Sequence, residues 1–273
     1  MRTALRVLAV FVVLALVALA VIGLRRPEVN IASVSVTGTH HTRADVLEHT
    51  ISGILSGSFF FLIPRTSAFF YPKREVLQSA RRSFPAIKTV SIARAGFTTL
   101  QVSVSERLPV ALWCAPEKSA PDAREQATST AEQQYSIASS RAPCYLMDTD
   151  GFVFAEADGD YSEFMRYQGG GVAGSAIGET FLDGAYPALR VFVADVAGAT
   201  AREPLAVLVD EHRDVFVSFK NGGELRFAIK NANSALLENI ASVFASKRLQ
   251  SDDVLDYADF RFGNKIYVKF EGE

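Results

Sequence analysis

An α+β fold in two parts behind one apolar N-terminal helix is what this sequence predicts, and three observations predict it. An uncharged run of 18 residues, Val7 to Leu24, stands near the amino terminus. Behind it, apolar spacing changes in the order strand, helix, helix, strand, strand and closes at Glu106-Arg107-Leu108-Pro109. From Val110 onward the pattern is mostly antiparallel strands, with two helical stretches flanking them. The 273 residues are 49% hydrophobic, which supplies an ample core and excludes a wholly disordered chain.

The apolar run would rise about 27 Å as a helix, close to the thickness of a bilayer's hydrocarbon layer. Ala18-Leu19-Ala20 offers a small-x-small cleavage site for a signal peptide. No polar stretch precedes that site, however, and the run continues through Val21, Ile22 and Leu24, so the expectation is an uncleaved anchor. The amino terminus, Arg2 and Arg6 set three positive charges before the run against Arg25 and Arg26 after it. That asymmetry favours a cytoplasmic amino terminus. With so few residues before the run, the functional mass is then expected outside the cytoplasm. Those four arginines take +4 of the net charge of −2, leaving −6 for the rest. An acidic body has no electrostatic means of holding a phosphate backbone, so no nucleic-acid partner is expected.

Val34 and Val36 alternate in a strand that stops at Gly38. Thr42 and Asp45 form a capping-box variant for a helix with Val46, Leu47, Ile51 and Ile54 inward. Pro72 opens a second helix, with Val76, Leu77, Ala80 and Phe84 inward, and Pro85 ends it. Two strands follow, carrying Val90 and Ile92, then Leu100, Val102 and Val104, with a turn near Gly96. Phe59, Phe60, Phe61, Phe69, Phe70 and Tyr71 cluster between the helices. Docking at a membrane interface is one reading of them, and packing between two helices and a sheet is the preferred one.

Cys114 ends the run Val110 to Trp113, and Cys144 opens the run Tyr145 to Met147. If those runs pair as antiparallel neighbours, the two sulfurs meet at the neck of residues 115–143, a polar segment expected to be disordered. A disulfide there fits an oxidising compartment, and free thiols fit a reducing one. Asp150-Gly151 marks a tight turn, and residues 155–180 read as Gly-rich and irregular. A helical face follows in Leu189, Phe192, Val193 and Val196, then strands over Leu205–Val209 and Val215–Phe219. Asn233 or Ser234 caps a helix carrying Leu236, Leu237, Ile240, Val243 and Phe244.

Two hairpins can be registered from their faces. A three-residue loop Asn221-Gly222-Gly223 opposes Phe219 to Leu225 and Val217 to Phe227, giving one apolar face. Gly263-Asn264-Lys265 likewise opposes Phe260 to Val268 and sets Asp259 against Lys269 as an opposite-charge pair. The last strand is then Ile266 to Phe270. A terminal strand at a sheet edge offers unpaired N–H and C=O groups for strand addition. Lys265, Tyr267 and Lys269 share one of its faces as candidate partner-binding residues, although edge lysines also serve simply to block aggregation.

Signals for chemistry are weak. His40, His41, His49 and His212 have no metal spacing with the cysteines, and solvated or capping roles fit them better. Asp148-Thr149-Asp150-Gly151 begins like a calcium loop but lacks the later ligands. Gly169, Gly171 and Gly174 match G-x-G-x-x-G, yet Tyr161 to Gln168 does not read as a buried strand and Gly178 interrupts any following helix. No nucleophile elbow or P-loop is present in the sequence. The expectation is a non-enzyme with no catalytic residues, cofactor, metal or small-molecule substrate.

Taken in order, several segments resemble a known family. They are the short anchor, Val34-Ser35-Val36-Thr37-Gly38, Phe84-Pro85-Ala86-Ile87-Lys88-Thr89-Val90-Ser91-Ile92 and Leu100 through Trp113 with its Glu106-Arg107-Leu108-Pro109-Val110-Ala111 stretch. Tyr145–Asp148, Gly151–Phe154 and Asp256-Tyr257-Ala258-Asp259-Phe260-Arg261-Phe262 complete the series. The first folded unit resembles a POTRA module, and most of residues 5–270 resembles the FtsQ/DivIB bacterial cell-division proteins. The resemblance implies a cytoplasmic tail and membrane helix over 1–26, a POTRA domain over 29–109 and a β domain over 110–273. It also implies a single-pass cell-membrane protein at the division site, with the bulk of the chain extracytoplasmic. Its implied role is a divisome scaffold binding FtsB-like and FtsL-like membrane proteins in support of septum formation. By position, the family's partner contacts fall on Tyr257, Asp259, Phe260, Arg261, Phe262, Ile266 and Tyr267. The cysteine-flanked insert departs from the usual family pattern. The alternative is a POTRA-bearing envelope transport or outer-membrane assembly component, although residues 111–273 supply few strands for a membrane barrel.

Overall fold

The computed structural model describes residues 2–115, 143–172, 176–246, 249, 254–263 and 265–272. The expected disorder of the insert, the Gly174 position and the Asn264 turn residue lie outside the described residues. The chain divides after Arg107 into two compact units.

In the first unit, α1 (Arg2–Leu24) leads through a short 3₁₀ turn to β1 (Ser33–Thr37) and α2 (Ala44–Leu55). A small hairpin, β2 (Ser58–Phe59) and β3 (Ile63–Pro64), precedes α3 (Lys73–Ser83), β4 (Ile87–Ala95) and β5 (Thr99–Glu106). The sheet order is β1-β5-β4, with β1 parallel to β5 and β4 antiparallel to it. Period-two alternation puts Val34, Leu100, Val102 and Val90 on one face, where Leu47, Ile51 and Leu55 of α2 and Val76 and Ala80 of α3 cover them. Burying each of the Val, Leu and Ile side chains stabilises the unit by roughly 1.5–3 kcal/mol.

The inward face of α2 differs from the expected one. Leu55 is buried and Val46 exposed, because residues 47, 51 and 55 repeat at i, i+4 while Val46 sits about 100° round the helix. Its cap differs too. Neither Thr42 nor Asp45 supplies it. Glu106, at the end of β5, accepts from the His41 N–H at 2.9 Å and the Thr42 N–H at 2.7 Å, while Asp45 pairs with Arg43 at 2.7 Å. These two amides precede the helix N-cap, Arg43, which has no side-chain cap hydrogen bond, so Glu106 anchors the turn leading into α2 rather than the first-turn amides of the helix.

In the second unit, β6 (Ala111–Cys114), β7 (Cys144–Met147), β8 (Val153–Glu156) and β9 (Arg166–Gly169) precede α4 (Tyr186–Thr200). Then come β10 (Pro204–Val209), β11 (Asp214–Phe219), β12 (Glu224–Ala228), α5 (Ser234–Phe244), β13 (Leu255–Phe262) and β14 (Lys265–Phe270). These strands form one nine-stranded, mostly antiparallel sheet in the order β14-β13-β12-β11-β10-β9-β6-β7-β8. β9 is parallel to β6 and β10, and β12 is parallel to β13. Parallel neighbours need a long crossover. α4 supplies it between β9 and β10, and α5 between β12 and β13. Both helices bury their apolar stripes in the core formed by Val207, Val209, Val215, Val217, Leu225 and Phe227. Ring contacts at 5.0 Å (Phe192–Phe227) and 6.2 Å (Phe219–Phe244) lock each helix to the sheet. Asn233 caps α5, its Oδ1 accepting from the Leu236 N–H at 3.0 Å.

β9 corrects the expectation of irregular structure over 155–180. Arg166-Tyr167-Gln168-Gly169 has no apolar alternation, yet Tyr167 and Gln168 are buried because β6 and β10 flank them on both sides. Gly169, at φ 74°, is required there, since a Cβ would sit 2.0 Å from the Val209 carbonyl oxygen. Trp113 Nε1 donates to the Gly169 carbonyl at 3.2 Å and joins the two halves of the sheet. Among the described residues no helix follows the strand until Tyr186, so the glycine pattern has no described helix N-terminus beside it.

Candidate functional site

Among the described residues β14 is an edge strand, paired on one side with β13. Its register differs from the expected one. Tyr257 opposes Lys269, Ala258 opposes Val268 and Asp259 opposes Tyr267, a slide of two residues. Phe262 opposes Lys265, so Lys265 belongs to the strand rather than to the loop. Between Asp259 and Phe262 the strand β13 carries an extra residue, a bulge that absorbs the change. The Asn221-Gly222-Gly223 hairpin slides the same way. Val217 opposes Leu225 and Val215 opposes Phe227, with Phe219 bonded to Gly223 around Lys220-Asn221-Gly222. In the Asn221-Gly222-Gly223 hairpin the two-residue slide keeps every side chain on its face, so the face criterion could not detect it; in the last hairpin the bulge leaves Phe260 in the core and turns Phe262 out.

The new register changes the ion pairs. Lys269 does not meet Asp259; its Nζ lies 2.9 Å from Asp256 Oδ2. Asp259 is 3% exposed and accepts instead from Arg261, through the backbone N–H, Nε at 3.0 Å and Nη2 at 2.7 Å. Arg261 Nη1 continues to Asp214 Oδ2 at 2.9 Å. The hydrogen bond to Asp259, with Asp214 behind it, raises the Arg261 pKa against the opposing effect of burial, so the guanidinium is permanently charged.

The face of the sheet away from the buried aliphatic residues carries these groups in a lattice. Arg226 lies 4.0 Å over the Tyr257 ring and pairs with Glu224 at 2.6 Å. Arg261 stands 5.4 Å from the Phe216 ring and 5.6 Å from Phe262, and Phe262 meets Tyr267 edge-on at 5.3 Å. Tyr257, Arg261, Phe262, Lys265, Tyr267 and Lys269 therefore come together at the β14 rim, while Ile266 alternates onto the other face with Val268 and Phe270. Phe262, Ile266 and Tyr267 are exposed, and Tyr267 is 49% open. Phe260 and Asp259 do not face solvent. Phe260, at 4% exposure, belongs to the core, and Asp259 holds Arg261 in place.

Sequence reasoning missed Asp214, Phe216 and Arg226. Their signal was present: β11 and β12 alternate, and these residues are the other half of the alternation.

Far along the sheet, Cys114 and Cys144 oppose each other on β6 and β7, with Cα atoms 4.1 Å apart, and are joined by a disulfide. Among the described residues no group of three His, Cys, Asp or Glu side chains comes together at metal-ligand spacing. No protein-family model matches this chain, and no curated protein matches it.

Proposed function

We propose that this protein is a membrane-anchored scaffold of the FtsQ/DivIB kind, a divisome component that captures partner division proteins by strand addition at β14. The observation that carries this is the position of the last strand: six residues at the rim of a nine-stranded sheet, beside exposed Phe262, Ile266 and Tyr267. Strand addition supplies affinity through main-chain hydrogen bonds, and the alternating side chains supply specificity. Here the aromatic rings and the charged lattice around Arg261 give a partner strand both apolar and cationic neighbours. FtsB-like and FtsL-like membrane proteins are the proposed partners.

Three features support the rest of the reading. Arg6–Leu24 is long and apolar enough to cross a bilayer, and none of it is buried in a core. A helix that is apolar all round and covered by nothing suits lipid. The β-α-α-β-β order of the first unit, with its β1-β5-β4 sheet, fits a POTRA module. The disulfide suits an oxidising, extracytoplasmic compartment.

Pull-down of FtsB-like proteins tests the rim. Tyr267→Ala with Lys269→Glu is expected to weaken capture while the first unit stays folded. Unchanged capture by that double variant counts against strand addition. Fluorescent tagging in dividing cells tests the assignment itself, for which a midcell band is expected and a uniform envelope signal would favour a transport role.

A further inference from the structure

The aromatic segment between the two helices of the first unit does not behave as core. Phe60 and Phe61, expected to pack inside, are 90% and 89% exposed; Leu62 next to them is exposed, as are Phe69 and Phe70 further along the segment. Among the described residues no other large hydrophobic side chain is as open as these two, including those of α1. Both sit at the tip of the β2–β3 hairpin with positive φ, 48° and 61°. A turn of that kind favours Asn-Gly, and two phenylalanines strain it. Neither burial nor turn chemistry accounts for their presence.

The hairpin's location points to what does. Arg25, the first residue after α1, donates from Nη2 to the Phe61 carbonyl at 2.8 Å and from Nε to the Leu62 carbonyl at 3.2 Å. The tip is thereby tied to the end of the apolar helix. Asn30 ties the same corner from below, donating to the Leu24 and Arg26 carbonyls and accepting from Thr66. Polar backbone groups entering lipid must carry their partners with them, and the Arg25 guanidinium satisfies the two carbonyls at the tip. Arg65 stands 5.5 Å over the Phe59 ring at the base of the hairpin.

We infer that the β2–β3 hairpin is a second membrane contact: Phe60, Phe61 and Leu62 insert among the lipids where α1 leaves the bilayer, with Arg25 and Arg26 at the headgroups. Apolar tips flanked by arginines are the composition that lies at the boundary between headgroups and acyl chains. One helix alone lets the first unit swivel about its exit point. A hairpin inserted beside the helix holds that unit at one angle to the membrane.

This inference rests on α1 being a membrane anchor, so its test reports on the two separately. The full chain is reconstituted in vesicles of phosphatidylethanolamine and phosphatidylglycerol, with acyl chains brominated either near the headgroup or deep in the bilayer. Single tryptophans are introduced as Phe60→Trp and Leu14→Trp, with the parent chain giving the baseline of buried Trp113. The Phe60→Trp signal is expected to fall by at least half with shallow bromines and less with deep ones, and Leu14→Trp to show the reverse order. Quenching at Leu14→Trp without quenching at Phe60→Trp overturns the hairpin contact and leaves the anchor standing. Quenching at neither position overturns both. A blue-shifted but unquenched Phe60→Trp means protein rather than lipid covers the hairpin, and also overturns it.

Discussion

Glu106 shows how much one side chain does in the first unit. Burial by itself would raise its pKa. The His41 and Thr42 N–H groups, with the Thr42 side chain and the His40 amide behind them, outweigh burial and hold it at about 2. A depressed folded-state pKa stabilises the fold above the unfolded value near 4.5, and that contribution disappears as the pH falls through about 2. Thermal unfolding of the detergent-solubilised chain should therefore shift downward across that window, and Glu106→Gln should flatten the dependence attributable to this unit. Glu106→Ala should cost about 1–2 kcal/mol, because two backbone N–H groups of the turn before α2 lose their charged acceptor. Arg261 is the counterpart in the second unit. Arg261→Ala leaves the Asp259 carboxylate buried without its guanidinium and should cost about 3 kcal/mol in denaturant unfolding. Phe60→Asn with Phe61→Gly runs the other way. It relieves two left-handed residues and should raise stability by about 1–2 kcal/mol while abolishing the proposed lipid contact.

At the scale of elements, β14 carries the functional argument. Successive residues of an edge strand direct their N–H groups alternately to the neighbour and away from the sheet. Of Ile266→Pro and Tyr267→Pro, one removes a bond to β13 and the other removes only an outward donor. The outward substitution should leave stability within about 0.5 kcal/mol and weaken partner capture about fivefold to tenfold, the worth of one hydrogen bond. If neither proline alters capture in a binding titration, the partner does not add as a strand. The same alternation made most elements legible beforehand. α3, α4, α5 and the two long strands of the first unit follow from spacing and caps, and the last hairpin follows in place but not in register. β9 does not, because a four-residue strand without alternation is buried by its neighbours rather than by its own pattern. The β2–β3 hairpin was missed for a related reason: six aromatic residues in a short span read as core by composition, while their exposure depends on what lies over them.

Each unit of the whole molecule has its own apolar core, one around Leu47, Ile51 and Leu100 and the other around the nine-stranded sheet. The Cys114–Cys144 bond belongs to the second. With a sequence separation of 30, it should contribute about 3–4 kcal/mol in the chain-entropy picture. Calorimetry with and without reductant should shift the transition of the second unit downward and leave that of the first in place. Cys114→Ala with Cys144→Ala should reproduce the shift without reductant.

The amino-acid order by itself determined the apolar N-terminal run, the α+β class, the cysteines at the neck of the insert and which side of each long strand turns inward. These depend on local periodicity, which the chain carries within a few residues. Only the tertiary structure decided the rest: that Glu106 ties down the turn before α2 from a distant strand, that both hairpins shift register, that Asp259 pairs with Arg261 rather than Lys269, and that Phe60 and Phe61 stand in the open. A two-residue slide leaves every face unchanged, and exposure and ion pairing depend on which distant segments arrive alongside. No local pattern encodes either.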